Sequence, residues 1–214
     1  TAYEILIGLV GSEMCIRDKL KAAAQEFSQL GYEGVTVDGI CAGHGISKGM
    51  MYHYFSGREE LFLRCVEEVF GGLRLWLEPL LERLDALEPR SAIREYFLAR
   101  ERYFGERPVE KAIFENAMFR TPRGLEERIE ALHAPLSELN RRFTLRLTER
   151  LQPRPGHSRE ELQLYFEAID RAYKTLLDAF TSGGVRSVEE MVERSGRLLD
   201  LLIFGIAEQN TDAR

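Results

Sequence analysis

Apolar positions recur along this chain at helical spacing, and no stretch alternates as a strand would. Leu20, Ala23, Ala24, Phe27 and Leu30 predict one inward face of a helix that starts near Arg17 and ends at Gly31. Val35 closes a short connection. Thr36 then stands as the N-cap of a short helix whose apolar face is Val37, Ile40 and Cys41. Gly45 marks the point where that helix must stop and the chain reverse, because glycine accepts the positive φ such a turn needs. Ser47 caps a second short helix. Its Met51 and Phe55 point into the core, while Lys48, Met50, Tyr52 and His53 face outward. After Ser56-Gly57 a long helix carries Leu61, Leu63, Cys65, Val66, Val69, Phe70, Leu73, Trp76, Leu77 and Leu80, apolar on more than one face and therefore buried. Pro79 should kink or restart it.

Ser91 is expected to cap the next helix, through about Gly105. Arg107-Pro108 opens another, to Arg120, and Thr121-Pro122-Arg123-Gly124 breaks it. A long helix then reaches Leu151, with Leu125, Ile129, Leu132, Leu136, Leu139, Phe143 and Leu147 inward and a bend near Pro135. Two last helices, from His157 or Ser158 to Ser182 and from Val188 to Gln209, flank Gly183-Gly184. Their apolar stripes are wider than one core face needs, and Ser195-Gly196 allows a close crossing. A helix pair inside a monomer and a dimer interface both satisfy that pattern. The whole reads as an all-α chain of about nine helices.

Two short helices joined by a glycine-containing turn form a helix-turn-helix, whose second helix enters the DNA major groove. The runs Ile46-Ser47-Lys48-Gly49, Tyr52-His53-Tyr54-Phe55 and Arg58-Glu59-Glu60-Leu61 resemble the DNA-binding segment of the tetracycline-repressor (TetR) family. So does the lead-in through Phe27, Gly31-Tyr32-Glu33, Thr36-Val37 and Ile40. The resemblance covers about the first third of the chain. It implies an N-terminal three-helix DNA-binding domain, residues 17–60, and a C-terminal helical ligand-binding and dimerisation domain, residues 61–214. The expected activity is that of a homodimeric repressor, held on a palindromic double-stranded operator and released by a small, largely hydrophobic molecule. His44 departs from the family, which has a small residue there. Gly39 and Gly43 each weaken the first reader helix by roughly 1 kcal/mol against alanine.

The DNA-binding set expected on these grounds is Thr36, Ser47, Lys48, Gly49, Met50, Tyr52, His53, Tyr54 and Arg58. Helix N-termini at Thr36 and Ser47 offer backbone N–H groups to phosphate. Lysine can donate to guanine, and an apolar tip or ring edge can pack on a thymine methyl. Gly49 keeps no side chain between helix and bases. Tyr54 and Arg58 match family positions that grip the backbone. By the same resemblance the last helix pair forms the dimer interface, with Tyr165, Ile169, Tyr173, Leu176, Ser195, Leu199, Leu202 and Ile206. An effector pocket is expected among Trp76, Tyr96, Arg100, Tyr103, Phe114, Met118 and Tyr173, since an apolar cavity with a few directed polar groups is the usual small-molecule site. Core packing explains any one of those aromatics better than a pocket does, and Glu115, Asn116 and His133 are further polar groups beside apolar positions.

A net charge of -6 over 214 residues argues against a general nucleic-acid coat. Between Arg17 and Arg58 five basic residues face four acidic ones, a balance of +1, so the remainder carries -7. A near-neutral reader on an acidic body suits a sequence-selective binder. The three cysteines, Cys15, Cys41 and Cys65, fit reduced thiols in a cytoplasmic protein. No catalytic motif, metal-ligand spacing or cofactor loop is present, so neither enzyme activity nor a cofactor is expected. Residues 1–16 read as neither signal peptide nor membrane span. Gly11 to Asp18 resembles translated adapter sequence, which makes 1–16 an expected non-native or disordered leader, with a natural N-terminal arm as the alternative. The rival to the effector-responsive reading is a DNA-tethered helical dimer that acts through protein–protein interaction.

Overall fold

The computed structural model describes the backbone of residues 2–165, 168, 187–190 and 192–194, with side chains from Ile16 onward. Its helices are α1 (Ala2–Gly34), α2 (Val37–His44), α3 (Lys48–Tyr54), α4 (Arg58–Leu77), α5 (Leu80–Leu84), α6 (Pro89–Gly105), α7 (Pro108–Phe119) and α8 (Glu126–Arg150). Helix resumes at 159–165 and again at 188–190 and 192–194. The fold is all-α, with an N-terminal helix-turn-helix and a helical remainder.

The chain divides into two compact units. The first holds Thr1–Phe70 and Arg107–His133, and the second holds Gly71–Glu106 and Ala134–Arg214. Helices α4 and α8 each supply residues to both.

In the first unit, the rings of Phe27 and Phe62 meet edge to face at 5.1 Å, with Tyr32 at 5.1 Å from Phe62. Ile40, Met51, Leu61 and Val66 complete this core with no exposed surface. Helix α7 packs on α1. The buried Asn116 side chain donates to the Phe27 carbonyl at 3.2 Å and accepts from Arg120, so a buried backbone acceptor is satisfied from a residue far along the chain. Phe70 packs on Phe114 and on His133, which makes His133 a packing ring here.

Three expectations are corrected in detail. Helix α1 begins at Ala2 rather than near Arg17. It leaves helical geometry at Gly31 (φ 68, ψ 177), as expected, but takes one more turn to Gly34. Leu30 is 56% exposed, because no described element covers it.

In the second unit, Leu73, Leu77, Leu81, Leu84, Ala92 and Ile93 form the apolar centre with Tyr96, Phe97, Leu136, Leu139 and Phe143. Pro79 restarts the chain as α5, as its missing N–H requires. Helix α6 starts at Pro89, not at Ser91. The Glu88 carboxylate accepts from the amides of Arg90 and Ser91, and proline at the first helical position loses nothing. A Cβ at position 72 would collide with the Tyr103 hydroxyl, so a larger residue there would force that ring to shift. At residue 158 a capping box forms: Ser158 Oγ accepts from the Glu161 amide, and the Glu161 carboxylate accepts from the Ser158 amide.

Candidate nucleic-acid interface

The reader is built by its caps. Thr36 Oγ1 accepts from the Gly39 amide at 3.0 Å, and Ser47 Oγ accepts from the Met50 amide at 3.2 Å. Each such cap contributes about 1 kcal/mol. Gly45 sits at φ 63, ψ 27, and its amide closes on the Cys41 carbonyl, which turns the chain sharply from α2 to α3. These three residues set the angle between the two helices.

Helical spacing then sorts α3 into two faces. Met51 and Phe55, four apart, are buried. Lys48, Gly49, Tyr52 and His53 share the opposite face and are all exposed; Met50 flanks it. Met50 is 43% and Tyr52 51% exposed, large apolar surfaces left in water by a helix whose other face is fully covered. That is the face the sequence assigned to DNA.

Several expected contacts are already engaged within the chain. Lys48 Nζ donates to the Asp38 carboxylate of α2 at 2.6 Å, which raises its pKa above the ordinary lysine value. The Arg58 guanidinium donates to the carbonyls of Glu33 (3.4 Å) and Val35 (3.3 Å) and lies 4.3 Å from the centre of the Tyr32 ring. Tyr54 is half-buried, with the Lys19 ammonium over its ring at 4.9 Å and His53 against its edge. His44, the departure from the family, contacts Glu26 of α1 at 3.1 Å. Next to the reader, an open groove of about 640 Å³ runs between the start of α4 and α8, lined by Arg58, Glu60, Arg64, Glu67, Arg128 and Leu132. The Arg128–Glu59 ion pair spans it.

The effector candidates divide between the units. Trp76, Tyr96, Arg100 and Tyr103 belong to the second, Phe114 and Met118 to the first, and Tyr173 lies outside the described residues. Trp76, expected inward, is 41% exposed, though its indole N–H donates to the Ala99 carbonyl at 3.1 Å. The Tyr96 hydroxyl and Arg100 Nη2 both donate to Asn140 Oδ1, at 2.7 and 2.5 Å. Asn140 escaped the sequence reading, although its place amid the apolar stripe of α8 was a usable signal. Of the expected dimer residues only Tyr165 is described, half-buried. Ile169, Tyr173, Leu176, Ser195, Leu199, Leu202 and Ile206 lie outside the described residues. Among the described residues, no cluster of three potential metal ligands occurs, and no helix is long and apolar enough to cross a membrane.

Residues 20–65 match the family model described as bacterial regulatory proteins, tetR family. Over 77 residues, 36% of this chain, the sequence is 34% identical to the HTH-type transcriptional regulator RutR of Escherichia coli K12. It is 33% identical over 76 residues to the HTH-type transcriptional repressor NicS of Pseudomonas putida. The chain spans about a third of the length of these curated relatives, 35% in each case. The fold of the TetR-family regulator PfmR from Thermus thermophilus covers 87% of this chain and 97% of its own, at a TM-score of 0.56 and 24% identity. The matched segment begins with the α1 residues that brace the reader and ends in α4, taking in both caps, the Gly45 turn and the outward face of α3, and over that segment the chain is similar to the tetR family of bacterial regulatory proteins.

Proposed function

We propose that the protein is a homodimeric repressor that binds a palindromic operator and is released by a small, largely hydrophobic effector. The observation that carries this reading is the outward face of α3. Lys48, Gly49, Met50, Tyr52 and His53 stand exposed on a helix that Ser47 caps and the left-handed Gly45 turn sets off from α2, the arrangement of a helix-turn-helix reader. Repression is favoured by the likeness to NicS, which is named a repressor. Effector response is favoured by the aromatic and polar groups of the second unit around Tyr96, Arg100 and Tyr103. Helix α4, shared by both units, is the element whose displacement would change the separation of two readers.

The test has two arms. Selection from random duplexes should return an inverted repeat with half-sites spaced by one helical turn or multiples of it, roughly 34–36 Å per turn. Light scattering should give a dimer, and charge placed at Leu199 or Leu202 should break it. In the second arm, operator is titrated with and without a compound found by thermal shift. Coupling of roughly 1–3 kcal/mol appears as a ~5–150-fold loss of operator affinity. A compound that binds tightly and leaves operator affinity unchanged overturns the effector half and favours a dimer acting through protein contacts.

A further inference from the structure

Arg100 is 6% exposed, inside the second unit. None of the ion pairs among the described residues includes it. Its partners are one neutral oxygen, Asn140 Oδ1, and the rings of Tyr96 and Phe97, whose centres lie 5.3 and 6.0 Å from its guanidinium carbon. Its Nε is buried with no acceptor. An arginine does not shed its charge to escape burial, and a buried cation without a counter-charge is costly to hold. The cost is sustained here beside a shared amide oxygen that already serves two donors. Nε with a terminal nitrogen of the same guanidinium forms the edge that takes both oxygens of a carboxylate. Around it, Tyr96 stacks on Phe143 at 4.1 Å, and both are buried.

We infer that the effector is an organic monocarboxylate, its carboxylate seated on Arg100 and its apolar body against the Tyr96, Phe97 and Phe143 rings. This rests on the effector reading above and names the ligand class for it. A phosphate dianion would bring more charge than one guanidinium compensates, and a neutral hydrophobe would leave Nε without an acceptor.

The experiment compares matched acid and amide pairs: benzoate with benzamide, phenylacetate with phenylacetamide, hexanoate with hexanamide. Each is tested on the full chain by thermal shift and then by operator titration. At least one acid should bind about tenfold or more tighter than its amide, the scale of a hydrogen bond to a charged group. Arg100→Met should lose that preference. Asn140→Asp supplies an internal carboxylate to both donors, so it should raise the melting temperature without ligand and weaken the acids about tenfold. Amides that bind as well as acids overturn the inference while leaving the effector reading intact. The inference also falls if no acid binds, if the acid preference survives both substitutions, or if Asn140→Asp lowers the melting temperature. Acids that bind through Arg100 without moving operator affinity uphold the site and overturn the effector reading instead.

Discussion

Lys48 Nζ donates to the Asp38 carboxylate across 2.6 Å, so the first residue of the outward-facing helix is paired with the helix before it. Both side chains are more than half exposed, and such a pair is worth about 0–1 kcal/mol. That is weak enough for a phosphate or a guanine to displace.

Asp38→Asn should therefore strengthen DNA binding and steepen its dependence on salt, because Lys48 is freed and a negative charge is removed from the reader. Lys48→Ala should relax base preference by about 1–3 kcal/mol at one position. Anisotropy titrations at several salt concentrations measure both. An Asp38→Asn variant with the parent's salt slope would exclude Lys48 from the contact.

Arg58→Ala should lower stability as well as DNA affinity. The guanidinium ties the carbonyls of Glu33 and Val35 and covers the Tyr32 ring, so its loss should cost about 1–3 kcal/mol. Urea melts read this separately from DNA titration. A melt unchanged within error would return Arg58 to a purely DNA-facing role.

The start of α4 should weaken in acid. The Ser56 amide and hydroxyl both donate to the Glu60 carboxylate at 2.7 Å, which holds its pKa below the ordinary 4.5. A carboxylate depressed by folding stabilises fully above its unfolded pKa and loses that contribution as pH falls through the folded value. The stability gap between the parent and Glu60→Gln should be widest above pH 4.5 and close below it. A gap constant from about pH 6 to about pH 3 would contradict this.

Cys65 should resist alkylation in the folded protein. Burial, reinforced by the nearby Glu68 charge, pushes its thiol up to about 12, and its Sγ donates to the Leu20 carbonyl at 3.7 Å. Iodoacetamide at about pH 8 followed by peptide mapping should find Cys65 unmodified until denaturant is added.

The reader was legible in sequence because its signals are local. Thr36, Ser47 and Gly45 each act within four residues, and a cap or a left-handed turn needs no distant partner. Where local chemistry was misread, a better local signal existed: Pro89 at a helix start points to the preceding Glu88 as cap, ahead of Ser91. What periodicity does not encode is which apolar faces meet. The stripe of α7 reads as packing before it reads as pocket lining, but only the fold shows that it lies on α1. Likewise, nothing in the spacing of Arg100 and Asn140 says that they share a hydrogen bond across forty positions.

The bond from Asn116 to the Phe27 carbonyl has a practical consequence for anyone transplanting specificity. A hybrid regulator made by grafting the first sixty residues onto another body would leave behind α7, the helix that covers α1 and satisfies that carbonyl. The graft would inherit whichever residue the host carries at that point. A host lacking an amide there would yield a reader with the right recognition surface and a loosened brace behind it, so the stability of the reader travels with residues 107–133 as well as with the helix-turn-helix itself.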